Sequence, residues 1–93
     1  MDLRSMIPKI RQEFQIPPYF PDDGILSFLR EGESRLKFLN PVADLEKDFD
    51  FQMLLKNYVN YAYHHKVDEW EKNYAAVVLS WQMGSEVGSD ADA

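Results

Sequence analysis

The only histidines of the chain, His64 and His65, are adjacent, and they sit in a stretch, Asn57–Tyr74, that also holds four tyrosines and a tryptophan. Neighbouring residues on a helix point about 100° apart, whereas helical metal pairs stand three or four apart, so the two imidazoles do not share one ion. Asp68 lies four residues beyond His64 and completes a weak site only if one helix runs through both. The simpler reading places the histidines at a helix C-terminus, where partial positive charge is favourable. The carboxylate runs "DLEKDFD" and "DEWE" have no nucleophile or apolar pocket beside them and read as solvated helix faces and caps. The serines have no histidine at a triad-like spacing, and a glycine-rich phosphate loop is missing. With no cysteine there is neither thiolate chemistry nor a disulfide framework. The expectation is a protein without catalytic residues, cofactor or metal, made inside a cell.

Rings also stack on nucleic-acid bases, but such platforms interleave aromatic with basic residues. Here Lys56, Lys66 and Lys72 are offset by Asp68, Glu69 and Glu71. A helix-turn-helix reading of "HHKVDEWEKNYAAVV" fares little better, because its recognition helix would start with three acids facing phosphates. The net charge of −6 points the same way. Residues 1–83 hold 10 Lys/Arg against 13 Asp/Glu, and "GSEVGSDADA" adds Glu86, Asp90 and Asp92. This balance argues against a grip on the phosphate backbone, yet allows a protein that surrounds DNA without gripping it.

The elements that must carry these residues read as helices almost throughout, with no alternating strand pattern. The 93 residues make one domain. A first helix aligns Leu3, Met6, Ile7, Ile10 and Phe14, with Ser5 as N-cap so that Pro8 falls in the first turn. "IPPYFPDD" forms an ordered connector with Tyr19 and Phe20 tucked against the helices. Asp22 and Asp23 then cap a second helix to about Leu39, striped by Ile25, Leu29, Gly32, Leu36 and Leu39. Gly32 in mid-stripe costs about 1 kcal/mol against alanine, which either a close helix approach or a kink explains. A third helix runs from Asp44 or Leu45 to His64 or His65, apolar over a broad face built on Phe51, Leu54, Leu55, Tyr58, Val59 and Ala62. The fourth opens on Asp68 and Glu71 as a capping box, carries Trp70, Tyr74, Val77, Val78 and Trp81, and ends at Gly84. The expected architecture is an all-α bundle of four helices whose last two form an antiparallel hairpin. Residues 1–83 form this single domain, and 84–93 a flexible, disordered acidic tail. No run nears the roughly 20 apolar residues of a membrane span, and "MDLRSMIPKIRQEF" is too charged for a signal peptide.

The hairpin carries more rings than one small core accommodates. Tyr61, Tyr63 and one of Phe49 or Phe51 are expected to point elsewhere, since Tyr and Trp serve well where an apolar surface meets a partner. Tyr58, Tyr61, Tyr63, Trp70, Tyr74 and Trp81 are therefore the candidate subunit or partner interface, although some of them fill the hairpin core.

The order of these features resembles the head–tail connector (head-completion or adaptor) proteins of long-tailed bacteriophages and prophages. The similarity covers nearly all of residues 1–83. It rests on "PDDGILSFLREGESRL", with Asp22-Asp23 ahead of Leu26 and Leu29, and on "DFDFQMLLKNYVNYAYHHKVDEWEKNYAAVVLSWQM". The latter supplies Leu54-Leu55, Tyr58-Val59, Tyr61, Asp68, Trp70 and Asn73-Tyr74. The resemblance implies a structural protein of the virion neck, assembled in the host cytoplasm. It implies a ring with copies of itself, commonly twelve, under the portal protein. Such a ring extends the DNA channel without sequence-specific binding and docks the next neck or tail protein. The competing expectation is a small helical regulator of phage or bacterial origin, DNA-binding or protein-adaptor.

Overall fold

A computed structural model of the chain describes residues 2–91, with side chains described as far as Gly84. After a 3-10 turn at Leu3–Met6 come four helices: α1 (Ile7–Phe14), α2 (Asp22–Leu39), α3 (Phe49–Tyr63) and α4 (Val67–Ala91). The described residues contain no strand. α3 is central and packs along both α2 and α4.

The helix ends differ from the sequence reading at several caps. Asp2, not Ser5, opens the first helical segment, its carboxylate accepting from Arg4 N at 3.1 Å, while Ser5 Oγ donates back to the Asp2 carbonyl at 2.6 Å. Pro8 does fall in the first turn of α1. Pro21 occupies the N-cap of α2, so Asp22 and Asp23 lie one and two residues inside it. Their carboxylates still favour the helix dipole, but they pair with Arg11 and Arg4 instead of capping. α3 starts at Phe49, four or five residues later than expected, because Asp48 caps it by accepting from Phe51 N at 3.1 Å. Asp68 and Glu69 occupy the first turn of α4, whereas Glu71 reaches across to Arg35 of α2, so no capping box forms.

Two helices terminate in left-handed residues that are not glycine. Gln15 (φ 53°) ends α1, with Ile16 N bonded to the Arg11 carbonyl at 3.1 Å. His65 (φ 60°) ends α3, where His65 N meets the Ala62 carbonyl at 3.0 Å and Lys66 N the Tyr61 carbonyl at 2.8 Å. This paired bonding satisfies the orphan carbonyls of the last turn and reverses the chain within three residues. His64 and His65 are thus the end of α3, and the α3–α4 pair is an antiparallel hairpin. Trp81 of α4 lies by Asp48 at the start of α3, and Asn73 by Tyr61 near its end.

The core joins Ile7 and Ile10 of α1, Ile25, Leu26, Leu29 and Leu36 of α2, the broad face of α3, and Trp70, Val78 and Trp81 of α4. Leu39 and Val77 leave their expected stripes and are partly exposed. Gly32 is a close-approach glycine: a Cβ there would stand 2.7 Å from Tyr58 Cδ1 and 2.8 Å from Leu55 Cδ1 of α3. α4 continues through Gly84 to Ala91, since nothing there imposes a left-handed residue or a proline, and a helical glycine costs only about 1 kcal/mol. The tail expected to be disordered falls on 84–93, where side chains beyond Gly84 and residues 92–93 lie outside the described part.

Candidate interaction surfaces

The residue that most constrains the hairpin is Tyr58. It is fully buried, and its hydroxyl donates to Glu31 Oε1 of α2 at 2.5 Å. Trp70 of α4 meets its ring edge-on at 5.1 Å, and the Arg35 guanidinium lies 5.6 Å from the ring centroid. Arg35 in turn pairs with Glu71 of α4. One phenol therefore gathers three helices through a hydrogen bond, a ring contact and a cation–π contact. Burial, with the hydrogen bond and negative charge of Glu31, pushes the Tyr58 phenol up to about 12 against the weaker opposing pull of Arg35.

At the other end of the hairpin Asp48 has the corresponding role. One carboxylate oxygen caps α3, and the other accepts Trp81 Nε1–H at 2.8 Å. The Trp81 ring packs against Phe51 with centroids 5.3 Å apart. Beside the Tyr58 anchor, Tyr61 and Tyr74 meet edge-on at 5.9 Å, and burial with the neighbouring Tyr61 raises the Tyr74 phenol. Tyr63 is half-buried against Phe20, whose ring also covers Gly24.

The expectation that these rings supply a partner surface therefore needs correction. Tyr58, Trp70 and Trp81 are buried in the chain's own core, and Tyr61, Tyr63 and Tyr74 are half-buried against it. The core holds more rings than expected because they interlock edge-to-face across three helices and the connector. Phe49 does point outward, 82 % exposed, while Phe51 is buried. Tyr19, expected to tuck in with Phe20, is instead 85 % exposed.

Among the described residues, two stretches of open apolar surface lie between helices. The first is a groove between α2 and α4, lined by Phe38, Leu39, Trp70, Ala75 and Val78, with Glu31, Ser34, Arg35 and Glu71 along it. Phe38 is 85 % exposed, and Leu79 extends the apolar strip one turn beyond Ala75. Gln82 closes one end by donating to the Leu39 carbonyl at 2.8 Å. The buried Trp70 Nε1–H finds no acceptor. The second surface is a cleft of about 300 Å³ between α1 and α3, lined by Met6, Lys9, Ile10, Glu13, Phe49, Gln52, Met53 and Lys56. Val42 lies beside Phe49 on its far side and is 76 % exposed.

Phe38 went unnoticed in the sequence because it lies off the α2 stripe, between Leu36 and Leu39, and Val42 because it lies in the "NPVAD" turn between helices. Their signal was that large apolar residues occupy positions that neither the helix stripe nor the turn needs. Among the described residues, no group of three His, Cys, Asp or Glu side chains is placed to hold a metal ion. No helix among them is long and apolar enough to cross a membrane. Comparison with protein-family models returns no match, and comparisons with curated proteins and with solved structures return none either.

Proposed function

We propose that the chain is a structural, non-enzymatic subunit of a phage neck. It assembles as a ring beneath the portal, prolongs the DNA channel, and offers a platform to the next neck or tail protein. The observation that carries this reading is the pair of open apolar surfaces, the α2–α4 groove and the Phe49 face, on a helical domain too small to waste such surface. A subunit that contacts copies on either side needs two such surfaces, whereas a two-fold dimer needs one. The resemblance of residues 1–83 to connector proteins supports it further. The negative balance suits a conduit, because weakly repulsive walls leave a polyanion mobile while clustered Lys/Arg would hold it.

The test is native mass by light scattering, alone and with a portal ring. A ring-sized particle, or a complement of subunits gained by the portal, is the expected result. A monomer that ignores the portal and binds duplex DNA with a steep salt dependence would replace this reading with the regulator.

A further inference from the structure

The outer side of α4, turned away from the bundle, is a third apolar surface. From it we infer that two copies of the chain pair antiparallel, α4 against α4, about a two-fold axis beside Leu79. This contact is independent of the neck reading, and its failure would leave that reading untouched.

The inner stripe of α4, built on Trp70, Tyr74, Val78 and Trp81, packs on the core. On the opposite side Lys72, Ala76, Leu79, Met83 and Glu86 follow at spacings of four, three, four and three, which is the seam of a helix pair. Ala76, Leu79 and Met83 are nevertheless exposed. No charge falls between Asn73 and Ser85, in a chain of which 28 % is charged. A solvated helix face carries polar and charged residues, whereas a helix apolar on every side is covered. The register says by what. Lys72 and Glu86 stand seven residues to either side of Leu79, two turns away in each direction. Antiparallel packing about Leu79 therefore brings Lys72 of one copy level with Glu86 of the other, twice, while parallel packing would set like charges side by side. Glu69 and Glu71 are already paired with Lys66 and Arg35 inside the chain, which leaves Lys72 for a partner. Asp68 and Asp90 come level one turn further out, at the ends of the seam, where water and salt screen them. In the same register Met83 of one copy meets Ala75 of the other, beside the exposed Phe38 ring that lines the same groove as Ala75. The small side chains of Ala75 and Ala76 let the two helices approach closely.

Size sets the expected strength. Phe38, Leu79 and Met83 are 85 %, 56 % and 53 % exposed. Counting each whole side chain as about 150–200 Å² and adding the two alanines, the face offers on the order of 400 Å² of apolar surface. At the roughly 65 % apolar share of homodimer interfaces, this frames about 600 Å² per subunit and ~1,200 Å² in all, the lower edge of a specific interface. The dimer accordingly forms with a Kd of about 10–100 µM, and dilute protein is monomeric.

Sedimentation equilibrium from micromolar to millimolar protein tests this with a charge reversal. Wild type is expected to pass from monomer to dimer. Lys72→Glu or Glu86→Lys alone sets like charges against each other at both ends of the seam, and weakens the dimer about tenfold at low salt. The double variant Lys72→Glu/Glu86→Lys restores it, which a merely unfolded or loosened single variant would not allow. Leu79→Cys, in a chain with no other cysteine, is expected to oxidise to a disulfide-linked dimer at concentrations where wild type pairs. The inference is overturned if wild type stays monomeric at millimolar concentration, if either single reversal dimerises like wild type, or if the double variant is no tighter than the singles. A ring that forms equally well from the single reversals would overturn this contact alone and leave the connector function standing.

Discussion

Substituting alanine for Gly32 separates two opposing contributions. The position is helical, so alanine lowers the backbone cost by about 1 kcal/mol. The new Cβ, however, would stand 2.7 Å from Tyr58 Cδ1, 3.1 Å from Tyr58 Cγ and 2.8 Å from Leu55 Cδ1. Leu55 Cδ1 is the end of a flexible chain and can yield. The Tyr58 ring cannot, being tied by its hydroxyl to Glu31 and wedged by Trp70. Overpacking of this kind costs typically 1–3 kcal/mol, and a ring held from several sides takes it to the upper part of that range. The net loss is about 1–2 kcal/mol. With a urea dependence of about 1 kcal/mol per molar for a chain this size, the midpoint of unfolding followed by far-ultraviolet circular dichroism falls by about 1–2 M, with its slope unchanged. Gly84→Ala is the control, since nothing lies within 4 Å of a Cβ there and only the helical gain remains. If Gly32→Ala matched or exceeded wild type as Gly84→Ala should, the close approach of α2 to α3 would not explain this glycine.

Four other outcomes follow from single contacts. Asp48→Ala removes a cap and orphans the Trp81 indole N–H, so it should cost about 2–4 kcal/mol in urea unfolding; Asp48→Asn, with one carbonyl oxygen in place of two carboxylate oxygens, should fall between it and wild type. Arg11 holds the connector by donating to the Pro17 carbonyl at 2.9 Å, the Phe20 carbonyl and Asp22, so Arg11→Ala should expose the 16–21 segment to limited proteolysis, and unchanged cleavage would refute that role. His65→Gly and Gln15→Gly each relieve a left-handed side chain and should stabilise the fold by up to about 1 kcal/mol apiece, read as a higher thermal midpoint, provided the cap bonds persist. Tyr58 ionises near 12 when folded and near 10 when unfolded, so its contribution is full below about pH 10 and is lost as pH rises through about 12. In a spectroscopic titration one tyrosine should ionise late, together with unfolding, and Tyr58→Phe should remove that late step.

The helical class, the count of helices and the hairpin were legible in the sequence because each depends on local rules. Periodic apolar positions, prolines in "IPPYFPDD" and the absence of alternating runs act within a few residues, so the order of elements needed no tertiary knowledge. The caps were legible only by residue type. Aspartates do stand near the helix starts, but Asp22, Asp23 and Glu71 serve ion pairs with arginines brought close by packing, and Asp48 caps instead. A carboxylate is an equally good partner for an N–H group or a guanidinium, and sequence does not reveal which will be nearer.

The candidate surface was the least legible part. Counting rings correctly located the hairpin as the aromatic centre and expected either Phe49 or Phe51 to face outward, yet it kept Tyr58, Trp70 and Trp81 among the interface candidates, only some of which were to fill the core, and all three are core. How many rings a core holds depends on the angles at which they meet, and edge-to-face packing at 5.1–5.3 Å is a three-dimensional property. The sequence by itself determined that this chain folds as helices around an apolar, ring-rich hairpin and carries a net negative charge. The tertiary structure alone decided that Gly32 admits the Tyr58 ring and that Phe38, Val42 and Phe49 remain outside, because burial follows from which helix faces meet, and that is set by the whole chain at once.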